Sequence, residues 1–371
     1  MKTIASLLFV FVFSSNALAQ LSCSAWPQWN NFKTHFITPE GRVIDLGSDY
    51  SITTSEGQSY ALFFALLAND KASFDKLLEW TEVHLSEGDL STRLPAWQWG
   101  IKQNQGQILD SNPASDSDLW IAYTLSQAAI LWNERRYAVL SSVLAERIIR
   151  EETAQIPNLG LTLLPGPTGF EKDSSWKLNP SYAPLFIFAQ FAHLYPHSPW
   201  QTLHDNSAQL LIDTAPKGVS PDWVNYSVEK GFYHDKSAPA TGSYNAIRVY
   251  LWASMMAEDA PYKNALTEQF KPFVDSIVSS GKVPLETNAV TGKTAGNAPS
   301  GFVAALLPLL AEDNASQTVT ALQQQIMMDT RFTTSRYYDS VLYLFGNSAL
   351  NKRFSIDKNG ALTTNWSNEC R

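Results

Sequence analysis

Apolar positions along this chain fall into two kinds of run, and the two kinds alternate. The first kind is apolar on every face: Tyr60–Leu67, Leu119–Trp132, Tyr182–Tyr195, Ala246–Met256, Phe302–Leu310 and Tyr337–Phe345. The second kind is striped. Phe74, Leu77, Leu78, Thr81 and Leu85 follow the i, i+3, i+4, i+7, i+11 spacing of a one-sided helix, and Leu140, Val143, Leu144 and Ile148 repeat the idea. Striped helices are expected near Phe74–Leu85, Tyr137–Ile149, Trp200–Ile212, Tyr262–Val278 and Thr318–Met327, with a twelfth helix near Trp26–Phe36. A helix apolar all round belongs in an interior, and a striped one has a face with which to cover it. Six inner helices, each with an outer partner, predict an all-α fold, an (α/α)6 barrel. An open helical solenoid is the alternative. Helix starts that carry motifs recur at Glu56, Asp116, Tyr182 and Tyr244, about sixty residues apart, as a repeated hairpin unit would place them.

Long connections separate the hairpins: Gly88–Pro113, Thr153–Pro180, Pro216–Gly242 and Ser280–Pro299. Structureless connections of this length are uncommon and usually functional. Each leads into the N-terminal end of an inner helix, so all four are expected at one mouth of the barrel. They carry Trp97, Trp99, Trp176, Trp223, Phe232 and Tyr233. Flat aromatic rings suit the apolar faces of sugars, although about half of such residues are expected to pack the loops onto the ring instead.

The two ends change the picture further. Lys2, the apolar run Ile4–Phe13 and Ala17-Leu18-Ala19 read as a secretory signal peptide over 1–19, too short to span a membrane. The remainder, 20–371, contains no Pro-, Gly- or Ser-rich linker and is read as a single domain. Loss of Lys2 takes the formal charge from −8 to −9, which argues against nucleic acid and anionic membrane as partners. Cys23 and Cys370 stand at opposite ends of the processed chain, and in an oxidising compartment they are expected to form a disulfide.

Candidate chemistry sits at the helix starts. Ser55 and Gln58 fit a capping box, which puts Glu56 in the first turn of an interior helix, at the edge of a solvent-reachable cavity. Ser115 is expected to cap the next inner helix, with Asp116 and Asp118 in its first turn. An acid there also complements the helix dipole, so neither position is specific by itself. Arg248 on an apolar helix needs a carboxylate partner or substrate oxygens, because an unpaired buried charge is costly. The six histidines are scattered, and Pro196 separates His193 from His197. No metal site, phosphate loop, dinucleotide fingerprint or Gly-x-Ser-x-Gly elbow is evident, and no cofactor is expected. Carboxylates, tyrosines and tryptophans around one mouth point to glycoside chemistry.

At these residues the chain resembles glycoside hydrolase family 8, over essentially its whole processed length. The likeness rests on Thr54-Ser55-Glu56-Gly57-Gln58-Ser59-Tyr60, Leu94-Pro95-Ala96-Trp97-Gln98-Trp99-Gly100, Asp110-Ser111-Asn112, Asn179-Pro180-Ser181-Tyr182 and Pro221-Asp222-Trp223. The family's Ala-[Ser/Thr]-Asp-[Ala/Gly]-Asp signature is matched at Ala114, Ser115, Asp116 and Asp118, with Ser117 departing from it.

The resemblance implies an (α/α)6 barrel and inverting hydrolysis of a β-1,4-glucan, in the periplasm and in functional association with a cellulose synthase complex. It implies that Glu56 is the general acid and that Asp116 binds the sugar at the cleavage point. Tyr182, Tyr244 and Arg248 correspond to residues around the attacking water, and Trp97, Trp99, Trp120 and Trp176 are candidates for the glucan groove. The family's general base is the Asp of a Tyr-Asp-Ala-x-Arg motif, and here that position is Asn245. An amide is no useful base, and a general base contributes on the order of 10²–10⁴ in rate. Asp116, Asp118, Glu229 or Asp235 could take over, the enzyme could be slow, or the protein could bind glucan without cleaving it. Xylan and chitosan are the alternative substrates.

Overall fold

The computed structural model describes residues 26–329 and 331–369. Its helices are α1 (Pro27–Phe36), α2 (Ser55–Leu67), α3 (Lys71–Leu85), α4 (Ser115–Leu131), α5 (Arg135–Glu151), α6 (Leu185–Leu194) and α7 (Trp200–Asp213). They continue with α8 (Ala246–Met255), α9 (Lys263–Ser280), α10 (Ser300–Glu312), α11 (Ser316–Met328) and α12 (Tyr337–Leu350). The even-numbered helices form the inner ring and the odd-numbered ones back them, an (α/α)6 barrel.

The inner helices are interior because their sequences leave nothing for water. In α2 every residue is buried except Glu56. The ring closes where Phe345 of α12 meets Phe64, Tyr60 and Phe63 of α2, with ring centroids 4.6, 5.1 and 5.7 Å apart. Phe32 and Phe36 of α1 lie 6.2 and 6.1 Å from Tyr337, so the first helix backs the last. Helices α10 and α12 approach so closely that a Cβ on Gly346 would stand 2.0 Å from the Ala304 carbonyl oxygen, which requires glycine there. An aromatic plug of Tyr60, Phe63, Trp120, Trp252 and Phe345 fills the barrel below the mouth. Cys23, Cys370 and the signal segment lie outside the described residues.

Three sequence expectations change. The long connections are not structureless. The first contributes β2 (Gln98–Lys102) and β3 (Gln105–Asp110), which continue from β1 (Thr53–Thr54). The second holds the hairpin β4 (Thr153–Ile156) and β5 (Gly160–Leu163), then β6 (Glu171–Lys172) and β7 (Ser175–Leu178). Strand β7 pairs with β8 (Val224–Ser227), which pairs in turn with β9 (Gly231–Tyr233), so the second and third connections share one sheet. Thr241–Gly242, Glu286–Asn288 and Thr294–Ala295 join the third to the fourth in the same way. Two of these hairpins, β2–β3 and β6–β7, turn on Gln103-Asn104 and Asp173-Ser174, at positive φ without a glycine, which hides the turn signal there.

The third inner helix also starts later than expected. Pro180–Tyr182 is a short 3-10 turn and α6 begins at Leu185, because Pro184 disfavours helical geometry at Ala183 before it. The caps differ as well. Thr54, not Ser55, caps α2, its Oγ1 accepting from the Gly57 N–H at 3.0 Å. Gln58 is fully buried; its Oε1 accepts from Val43 and its amide donates to Gly41, Leu77 and Thr81. Ala114 takes the cap position of α4, and the Ser115 hydroxyl donates to the Leu164 carbonyl instead.

Candidate active site

The helix starts of α2, α4 and α8 converge on one side chain, Arg248. Its Nη1 contacts the Glu56 carboxylate, the Tyr60 hydroxyl at 3.1 Å and Asp116 Oδ2 at 3.3 Å. Its Nη2 donates to Ser181 Oγ at 3.0 Å and to Asn245 Oδ1 at 2.8 Å. The guanidinium also faces the Tyr182 ring, 5.7 Å from its centroid. Arg248 and Asp116 are buried, whereas the Glu56 side chain keeps 24% of its surface exposed. Glu56 is therefore the carboxyl of this cluster that reaches solvent.

Each position has a local cause. Glu56 follows a capped helix start. Asp116 Oδ1 accepts from the Ser117 N–H at 2.7 Å, which turns Oδ2 toward Arg248. The departure at Ser117 is accommodated by a hydroxyl pair, Ser117 Oγ lying 2.6 Å from Ser55 Oγ and so joining α4 to α2. Asn245 needs no side-chain cap of its own. Asp222 Oδ1 accepts from the N–H groups of Ser243, Asn245 and Ala246 at 2.8, 2.9 and 2.7 Å, capping α8 from the connection that leads into it. That frees the Asn245 amide, whose oxygen also accepts from Asn179 Nδ2 at 3.1 Å.

The electrostatics follow from burial. Burial pushes Asp116 up, the Arg248 guanidinium pulls it back, and the Glu56 charge adds to the rise, leaving it at about 7. Burial likewise holds the Tyr60 and Tyr182 hydroxyls protonated, well above their ordinary range.

The candidate substitute bases do not reach this cluster productively. Glu56 and Asp116 touch the same nitrogen, so their carboxyls stand closer than the ~6.5 Å that an inverting acid–base pair needs. Asp118 is fully buried away from Arg248. Asp235 is committed to a surface turn through Ser237 and Ala238, and Glu229 is exposed.

The aromatic candidates divide. Trp120 is only 1% exposed and belongs to the plug, so it presents no face to a sugar. Trp176 is buried with Ile156, Leu178, Val224 and Tyr226. Trp99 packs outward on Trp80 and His84 of α3, with the Arg42 guanidinium 4.3 Å from its ring, because a bulge after Gln98 breaks the strand's alternation. Trp97 is half-buried; its backbone joins the Glu56 and Asp116 approaches by accepting from Ser55 and donating to Asn112. Tyr244 is 53% exposed and packs on Phe302 and Tyr338 at the rim, not beside Arg248.

Trp223, one of the loop aromatics, and Tyr338, which the sequence reading did not single out, take their places. Trp223 stacks on Phe170, stands 6.1 Å from Tyr182 and has Lys177 over its ring, which continues an aromatic surface from the Arg248 cluster. Tyr338 donates to the Tyr244 carbonyl at 2.6 Å and so braces the start of α8. Trp223, Asn179, Ser181 and Tyr60 lie inside the motifs quoted above, and that was the available signal. Tyr338 carried none.

The model of "Glycosyl hydrolases family 8" matches residues 2–352. An endoglucanase of Escherichia coli (strain K12) is 44% identical over 368 residues, covering 99% of this chain and 97% of that protein. One from Escherichia coli O157:H7 is 45% identical over 352 residues, covering 95% and 94%. The crystal structure of an endo-1,4-D-glucanase from Vibrio fischeri ES114 superposes with a TM-score of 0.89 at 44% identity, over 93% of this chain and all of that one. With its barrel, its carboxyl-lined mouth and these relatives, the chain belongs to glycosyl hydrolase family 8.

Proposed function

We propose that this protein is an endo-acting β-1,4-glucanase that cleaves with inversion, slowed by the amide at the general-base position. The carrying observation is the single guanidinium that gathers Glu56, Asp116 and Asn245 at the barrel mouth. In this reading Glu56, the member that reaches solvent, protonates the leaving glycosidic oxygen. Asp116 and Arg248 hold the sugar at the cleavage point, with Tyr182 beside them. Trp223 and Tyr182 offer aromatic faces along the groove, and the relatives named endoglucanase favour a β-1,4-glucan.

Asn245 Oδ1 already accepts from Arg248 and Asn179, and an amide cannot take a water's proton at working pH. Inverting hydrolysis then loses general-base assistance, on the order of 10²–10⁴ in rate, and keeps the acid and the binding groups. Export to the periplasm and a role beside cellulose synthesis belong to the same reading. They rest on the 1–19 leader pattern and on the relatives' likeness. Among the described residues no helix is long and apolar enough to cross a membrane. The test is chain shortening of a soluble β-1,4-glucan, scored as viscosity loss against new reducing ends, beside xylan and chitosan. Cleavage of the glucan with early viscosity loss supports the reading. Cleavage of xylan or chitosan alone would overturn it, as would tight glucan binding without any cleavage.

A further inference from the structure

Asp118, the second acid at the start of α4, does not join the Arg248 cluster. It lies against Glu152, the C-cap residue that follows α5, and both carboxyls are fully buried. None of their four carboxyl oxygens has a hydrogen-bond donor, and the two carboxyls face each other. The backbone fixes the place. The Leu164 N–H donates to the Glu152 carbonyl at 2.8 Å, and the Leu164 carbonyl accepts from Ser115 Oγ at 2.7 Å. The Ser115 N–H donates to the Pro165 carbonyl at 3.1 Å. The Leu164-Pro165 segment just after β5 thus ties the first turn of α4 to the end of α5, and that turn carries Asp116.

Two ionised carboxylates are acceptors only and cannot satisfy each other, and a buried charge without a partner is costly. A single proton between them makes one a donor and leaves neither orphaned. We propose that Asp118 and Glu152 share a proton and act as positioning residues, locking the helix turn that presents Asp116 to Arg248.

Burial is the largest influence on both groups and pushes each well above the usual carboxylate range. Each carboxyl opposes ionisation of the other, as a single proton held between the two requires. Asp116 on the same turn and Glu151 beside Glu152 face the pair and oppose a second negative charge. Glu151 is itself paired with Arg147 and Arg150. Strands β4 and β5 bring no titratable side chain, and from α2 Glu56 and Tyr60 face Arg248 instead. An acid raised on folding binds its proton more tightly in the folded state. Its contribution to stability is full in acid and is lost as pH rises from the ordinary carboxylate value toward the raised one.

Glu152→Gln puts an amide donor where the shared proton was, and so makes the lock independent of pH; Asp118→Asn is the mirror variant should the first fail to fold. Three readouts on the full processed chain test the pair. Infrared spectroscopy of the parent at neutral pH should show a protonated-carboxyl band that either variant loses. The parent's melting temperature should fall between about pH 5 and about pH 9 more steeply than the variant's. Cellohexaose affinity should weaken toward alkaline pH in the parent and stay within a few-fold in the variant. The link to Asp116 rests on the reading of that residue given above. If cellohexaose does not bind at all, that reading fails while the infrared and melting readouts still decide the pair. A band that survives both substitutions, or melting profiles that run parallel, overturns the shared proton.

Discussion

Arg248 donates from Nη2 to Oδ1 of Asn245, three residues earlier at the start of the same helix, at 2.8 Å. Its other terminal nitrogen holds Glu56. In the free protein Glu56, proposed above as the acid, and Asn245 are therefore two ends of one bridge. Substrate must loosen the Glu56 end before a proton can pass to a glycosidic oxygen.

Arg248→Ala leaves Glu56 and Asp116 facing each other without their cation. Removing one partner of a buried ion pair costs about 3–5 kcal/mol, so denaturant unfolding should show a loss of that size. Arg248→Lys keeps the charge, but one ammonium cannot reach Glu56, Asp116, Ser181 and Asn245 together, and glucan affinity should fall with it. Full affinity in the Lys variant would contradict the bridge.

Glu56→Gln keeps the shape and removes the proton donor. Cleavage of soluble β-1,4-glucan should disappear while cellooligosaccharide affinity stays within a few-fold of the parent. Residual turnover near the parent's would remove Glu56 from the role of acid.

The barrel was legible in the alternation of all-apolar and striped runs, because that alternation is the physical requirement of an inner and an outer ring. Helix α6 was misjudged at its start, since Tyr182 looks like the first residue of an apolar run and only Pro184 marks the break. Glu56, Asp116 and Arg248 were legible as acids and a cation at the starts of interior helices, and the structure brings all three together. Trp120 and Trp176 were not, because an indole that fills a core and one that lines a groove look alike in sequence. Exposure depends on neighbours such as Phe345 and Tyr226, hundreds or tens of residues away.

Trp223 and Trp176 separate these two roles. Trp223→Ala should weaken cellooligosaccharide binding by about 1–3 kcal/mol, taking the range for a nucleic-acid base stacked on an aromatic side chain, with little change in melting. Trp176→Ala should cost about 3–5 kcal/mol of stability through the cavity it leaves, with affinity unchanged in the folded fraction. Calorimetry and melting on both variants check the pair, and exchanged phenotypes would reverse the assignment.

Asp116 carries a pH signature. Burial raises it to about 7, so the folded state binds its proton more tightly than the unfolded chain does. Its contribution to stability is full at acid pH and is lost as pH rises from about 4 toward that value. Asp116→Asn should flatten the fall in melting temperature across that window. A variant whose profile runs parallel to the parent's would place the titration elsewhere.

The central claim is that Asn245 occupies the base position and limits turnover, and Asn245→Asp tests it most directly. The measurement is kcat on a soluble β-1,4-glucan for parent and variant side by side, with the anomer released followed by NMR. The account predicts a rise of up to ~10²–10⁴, with the inverted anomer formed first. Turnover within a few-fold of an active parent, or a retained anomer, would contradict it.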